Sequence, residues 1–159
     1  MNNSVSQELL KFLQKSPTAF HAVQQMKSEL LAVDFTELKE NQCWNIECGK
    51  HYLVTRNDSS LIAFTIPENG IDKMHILTSH SDSPTFKIKE NPEIEVEKHY
   101  VKLNVEKYGG MLCAPWFDRP LSVAGRVIIK DKTNGQFTSK LVNIDRDLVM
   151  IPNLAIHMN

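Results

Sequence analysis

No stretch of this 159-residue sequence approaches the roughly 20 consecutive apolar residues that a membrane-crossing helix needs. Charge of one sign is lacking too. Eighteen Lys and Arg nearly balance nineteen Asp and Glu, for a net charge of −1. Neither nucleic acid nor an anionic membrane is therefore an expected partner. Cysteine is scarce: Cys43, Cys48 and Cys113 are odd in number and form no C-x-x-C pair. That argues against a disulfide framework and a zinc ribbon. The thiols read as packing or surface groups in a reduced, cytoplasmic setting. Residues 1–16 lack a basic segment followed by an apolar one, so they do not read as a secretory signal. There is no G-x-S-x-G elbow, no phosphate-binding P-loop and no H-E-x-x-H helix. Internal repeats and low-complexity tracts are absent as well.

What is present has the composition of a soluble globular domain, 42% hydrophobic and 23% charged. A compact chain near this length buries about 70% of its unfolded surface. One ordinary domain, or two small ones sharing a core, fits the length. The first part reads as helical. Ser4-x-x-Gln7 has capping-box spacing, and Leu9, Leu10, Phe12 and Leu13 mark one face. Pro17 interrupts. Thr18 can then cap a second helix, with Phe20, Val23, Met26, Leu30 and Leu31 at helical spacing, ending at Asp34.

From Phe35 onward the pattern changes to strands. Residues 44–47 and 51–56 flank Cys48-Gly49-Lys50 as a hairpin would. Residues 61–66 form a short apolar run. Residues 74–78, Met-His-Ile-Leu-Thr, are compact and apolar enough for a strand buried on both faces. Residues 86–89 alternate, and the charged stretch 90–98, with Pro92 inside it, suggests a boundary or linker. Strands are expected at 100–105, 126–130 and 137–144, with Thr133-Asn134-Gly135 as a turn. No helix is convincing after Asp82. The order is helices, mixed strands, a polar site and a mostly β portion.

The candidate chemistry centres on His80-Ser81-Asp82, just after the expected buried strand. Open α/β sheets place ligands beyond the carboxyl ends of their strands. Neutral imidazole is a good zinc ligand, and a carboxylate that accepts its other ring N–H fixes the tautomer. By spacing alone, a surface or capping histidine beside a loop aspartate is the plainer reading. The segment 108–120 carries Gly109-Gly110, which permit close backbone approach, and Trp116 and Phe117, which offer large apolar area. Asp118 and Arg119 beside them can pair with each other. A packed corner or a subunit contact is the plainer reading there. His21 reads as a packing histidine, and His75 as one with an interior hydrogen bond. His157 near the end is by itself an ordinary surface histidine.

Four segments together carry a resemblance: SPTAFHAV (16–23), LTSHSDSP (77–84), KYGGMLCAPWFDRPLSVAGRV (107–127) and IPNLAIHMN (151–159). They make the sequence similar to the aspartyl aminopeptidase family of zinc metalloaminopeptidases over essentially its whole length. The resemblance implies an α/β fold: the N-terminal part of a co-catalytic zinc exopeptidase domain, residues 1–89, followed by part of an inserted β-rich lid and oligomerisation domain, residues 90–159. It implies removal of N-terminal residues, preferably Asp or Glu, from peptides. Two zinc ions per complete site would activate a bridging water and polarise the scissile carbonyl. His80 matches a zinc-ligand histidine. Asp82 matches the acidic residue that orients it. His157 matches a substrate-binding histidine that reaches a neighbouring subunit, so a homo-oligomer is implied.

The family pattern continues far beyond residue 159. The bridging aspartate, the general-base glutamate and the remaining ligands are expected there, and Glu93, Glu95 and Glu97 match no ligand position. The chain by itself is therefore expected to be inactive, to hold zinc poorly and to leave apolar faces uncovered. A non-catalytic assembly or binding module of the same descent is the alternative, and an unrelated α/β binding domain the third reading.

Overall fold

The computed structural model describes residues 3–158. The first two residues of the N-terminal reading, and Asn159 at the end of the fourth segment, lie outside the described residues. Two compact units divide the chain. One holds the residues up to Asp82 together with Val123–Ile144; the other holds Ser83–Ser122 and the residues from Asp145 on.

In the first unit, α1 (Asn3–Lys15) precedes α2 (Ala19–Leu31). Thr18 caps α2 as expected: its backbone is extended and its side chain accepts the His21 N–H. Asp34, with φ 66°, turns the chain beyond the helix end. Ser4 does not cap α1, because it already lies inside that helix.

Three strands follow: β1 (Phe35–Leu38), β2 (His51–Arg56) and β3 (Ser60–Thr65). β2 is central, parallel to β1 and antiparallel to β3. α2 touches all three strands. The core lies where helix and sheet meet: Ala22, Val23, Tyr52, Leu53, Val54 and Ile66 are buried, with Leu53 and Val23 fully enclosed. Lys27 of α2 and Lys39 each lie 2.7 Å from the Glu37 carboxylate on β1. Their hydrogen bonds, Lys27 first, hold the Glu37 carboxyl below its ordinary range. The hairpin of β6 (Ala124–Lys130) and β7 (Phe137–Asn143) completes this unit, with β6 against α2. Its tip is the expected turn: Gly135 has φ 73° and Asn134 Oδ1 accepts the Gln136 N–H.

Three expectations change. Residues 44–47 are not a strand. Both edges of β2 are already taken, by β1 and β3, and parallel pairing needs a crossover of about a dozen residues. Residues 39–50 are that crossover, held by Trp44 Nε1–H to the Lys39 carbonyl and by the Glu47 N–H to Tyr52 Oη. The hairpin partner of β2 is β3, reached through a tight turn at Asn57 and Asp58, both with positive φ. Second, residues 74–78 are neither strand nor buried. Met74, Ile76 and Leu77 are exposed, Leu77 almost completely, and so is His75, which has no interior role here. Apolarity favours burial but names no ladder partner, and no described strand pairs with this run. Third, the charged stretch 90–98 is no linker.

Residues 90–96 belong to β4 (Thr85–Val96), and Glu97 and Lys98, both with positive φ, turn the chain into its partner β5 (Tyr100–Tyr108) in the second unit. Lys89, Glu90, Asn91 and Pro92 bulge out opposite Asn104 alone, whose side chain donates to the Asn91 carbonyl. Proline fits there because a bulge asks for no ladder N–H. Glu93 and Glu95 are the solvated strand residues expected. Gly109, at φ 74°, lies against Pro84, a backbone conformation that favours glycine. A single 3-10 turn, η1 (Ala114–Trp116), follows, and Trp116 meets Phe86 edge-on at 5.4 Å. Asp118 and Arg119 do not pair with each other as their adjacency suggested. Asp118 accepts the Asn153 N–H at 2.9 Å, and Arg119 reaches the Pro115 carbonyl. No described residue of this unit is buried.

Exposed apolar surface is extensive: Leu9, Leu10 and Leu13 on α1, Ile62 on β3 and Ile128 on β6 all face solvent. Leu53→Ala is expected to cost about 2–5 kcal/mol of unfolding free energy, and Ile128→Ala within about 0.5 kcal/mol of nothing. Urea titrations followed by tryptophan fluorescence measure both; equal losses would place the core elsewhere.

Candidate functional site

His80 and Asp82 do meet. The His80 Nδ1 lies 2.7 Å from the Asp82 carbonyl oxygen and 3.1 Å from its Oδ1. A backbone carbonyl only accepts, so Nδ1 carries the ring proton and donates it to Asp82. Nε2 is left with its lone pair free, the form in which imidazole ligates a metal. The His80 side chain is 79% exposed, so an ion has access to it. Asp82 is half-buried. This is the histidine–carboxylate couple that the spacing suggested, formed without the strand expected to precede it.

Ser81 anchors the segment. Its hydroxyl donates to the Ser59 carbonyl at 2.8 Å, across to the turn between β2 and β3. That turn is itself held from β6, where Arg126 Nη1 donates to the Asn57 carbonyl at 2.8 Å and contacts its Oδ1 at 3.1 Å. The guanidinium lies 4.2 Å from the centre of the Phe20 ring, a cation–π contact onto α2. Neither Ser81 nor Arg126 was singled out by sequence. A serine within the H-x-D pair, and an arginine between small and apolar residues in VAGRV, were the signals available.

A catalytic zinc takes three protein ligands and an open position. Among the described residues no three His, Cys, Asp or Glu side chains converge. The couple offers one imidazole nitrogen beside a carboxylate, and the described residues do not make a catalytic zinc site by themselves. His157 lies in the second unit, exposed, in a turn closed by the Met158 N–H to the Ala155 carbonyl. All three cysteines carry free thiols.

The model of the family described as aminopeptidase I zinc metalloprotease (M18) matches residues 12–159. This chain belongs to the M18 aminopeptidase family. An M18 family aminopeptidase of Clostridium novyi is 50% identical over 163 aligned residues, covering 100% of this chain and 38% of the relative. The solved mApe1 of Chaetomium thermophilum superposes with a TM-score of 0.85 at 40% identity, over 96% of this chain and 35% of that one. The mApe1 dodecamer of Saccharomyces cerevisiae gives 0.82 at 28% identity, over 96% and 36%. The chain thus spans little more than a third of the length of these M18 proteins, and its mixed α/β fold is that of a partial M18 domain. No described helix is long and apolar enough to cross a membrane, which leaves β-barrels untested.

His21 proves to be the packing histidine expected. It is buried, with Nδ1 2.8 Å from Thr18 Oγ1, and desolvation lowers its pKa below the ordinary imidazole value of 6.5. Protonation then favours the unfolded chain. The stability His21 contributes is complete above that ordinary value and is lost as pH falls from it through the lower folded value. Urea midpoints measured across mildly acidic pH should fall for the parent protein and fall less steeply for His21→Gln. Parallel curves would show that His21 does not govern this window.

Proposed function

We propose that this chain is the N-terminal portion of a zinc-dependent aminopeptidase that removes N-terminal residues, preferably Asp or Glu, from peptides. The observation that carries the reading is the His80–Asp82 couple, with its Nδ1–H donated to Asp82, inside a chain that the M18 family matches from residue 12 onward. His80 is proposed as a zinc ligand and Asp82 as the carboxylate that orients it. His157 is proposed to bind substrate in an assembled enzyme. Two zinc ions per complete site are proposed, held mostly by residues outside this chain, so no catalytic step is assigned to the residues described. Residues 1–89 are proposed to lie in the peptidase domain and 90–159 in the lid. Assembly is proposed as a homo-oligomer through that lid, as the dodecameric relative suggests, and the setting as cytoplasmic. By itself the chain is proposed to be inactive.

Joining this chain to the remaining portion of the Clostridium novyi relative tests the reading. The fusion should hydrolyse aspartyl- or glutamyl-nitroanilide, and the 159-residue chain should not. In the fusion, Asp82→Asn should lower zinc affinity by about 10–100-fold, and His80→Ala by at least as much. Undiminished activity in His80→Ala would remove His80 from the site. Tight stoichiometric zinc in the isolated chain would contradict its incompleteness, and a preference for leucyl substrates would refute the acidic specificity.

A further inference from the structure

The residue between His80 and Asp82 is the better anchored one. Residues 71–80 are all exposed, whereas Ser81 is half-buried and its hydroxyl reaches the Ser59 carbonyl, 22 positions back, at 2.8 Å. The acceptor belongs to a closely defined turn. Asn57 and Asp58 both take left-handed backbone, residue types that tolerate it, and the Ser59 N–H returns to the Arg56 carbonyl at 3.2 Å. From β6, Arg126 donates to Asn57 while its guanidinium stacks on Phe20. An unbroken series of contacts thus runs from α2 through Arg126 and the β2–β3 turn to Ser81, all within the first unit.

We propose that Ser81 is a positioning residue, whose hydroxyl latches the His80–Asp82 segment to the β2–β3 turn and so sets the direction in which His80 Nε2 points. The division of labour is geometric. Asp82 fixes the imidazole relative to its own segment, since both its contacts to Nδ1 come from two residues away. The Ser81–Ser59 bond ties that segment to the sheet, and Arg126 keeps its acceptor in place. A ligand held within a few tenths of an ångström needs both levels of support. The consequence for metal binding rests on the proposed ligand role of His80; the latch stands on the contacts themselves.

The test uses the whole chain without metal, labelled with ¹⁵N. In the parent, the Ser81 backbone order parameter should be near the rigid value of about 0.85, and the neutral His80 ring should show the Nδ1–H tautomer. Ser81→Ala should drop the order parameter below about 0.6, while the Nδ1–H tautomer, held by Asp82, and the amide signals of β2 stay unchanged. Ser81→Thr, which keeps the hydroxyl, should restore the order. Unchanged order in Ser81→Ala would overturn the latch, and so would a Ser81→Thr variant that behaves like alanine. The His80→Ala fusion tests the metal reading separately, so either idea can fail while the other survives.

Discussion

The first unit depends on β2 being a strand with no free edge. β1 occupies one side and β3 the other, α2 packs against all three strands, and Leu53 of β2 is fully enclosed. Burying a leucine and a valine completely contributes roughly 1.5–3 kcal/mol each, and these are the two largest side chains so enclosed. The other features of the unit follow from that seating. A parallel neighbour forces the long 39–50 crossover. An antiparallel neighbour forces the tight 57–59 turn, and that turn is where Ser81 and Arg126 find their acceptors. The candidate site is thus tied to the sheet through the β2–β3 turn rather than through burial of its own segment.

Legibility in the sequence followed the range of each interaction. Local signals were readable: Thr18 as a cap, the 3.6-residue spacing of α2, the 133–135 turn, and the His80–Asp82 couple two residues apart. Non-local choices were not. Nothing in residues 44–47 tells that β2 will take its partners elsewhere, since pairing is decided by which edges remain open. The apolar run 74–78 states that it favours burial but not against what, and in this fold it lies exposed. Pro92 among charged residues reads as a break in the chain, yet a bulge accommodates it inside a continuous strand. The Asp118–Arg119 pairing failed for a related reason: the nearest charge lost to a backbone N–H 35 positions away.

The site itself was half legible. Its imidazole and carboxylate were named from spacing and from family resemblance, and the geometry supplies the direction of the ring proton. The supporting contacts were invisible because they join residues 22 and 69 positions apart. Family membership accounts for what is missing as well as for what is present. A chain that spans 38% of the Clostridium novyi relative can hold a histidine–carboxylate couple without three converging metal-binding side chains among its described residues.

The β4–β5 ribbon has a further property that comes from its bulge. A two-stranded ribbon offers a row of unpaired N–H and C=O groups on each outer edge, a template for unwanted pairing with other chains. Along β4 that row is broken midway: four residues stand opposite Asn104, and Pro92 contributes no N–H. A foreign strand could register with Thr85–Ile88 or with Glu93–Val96 but not run through both, and Glu93 and Glu95 place like charges along the latter stretch. The irregularity that made this segment look like a linker therefore interrupts the open edge along which a foreign strand would have to pair.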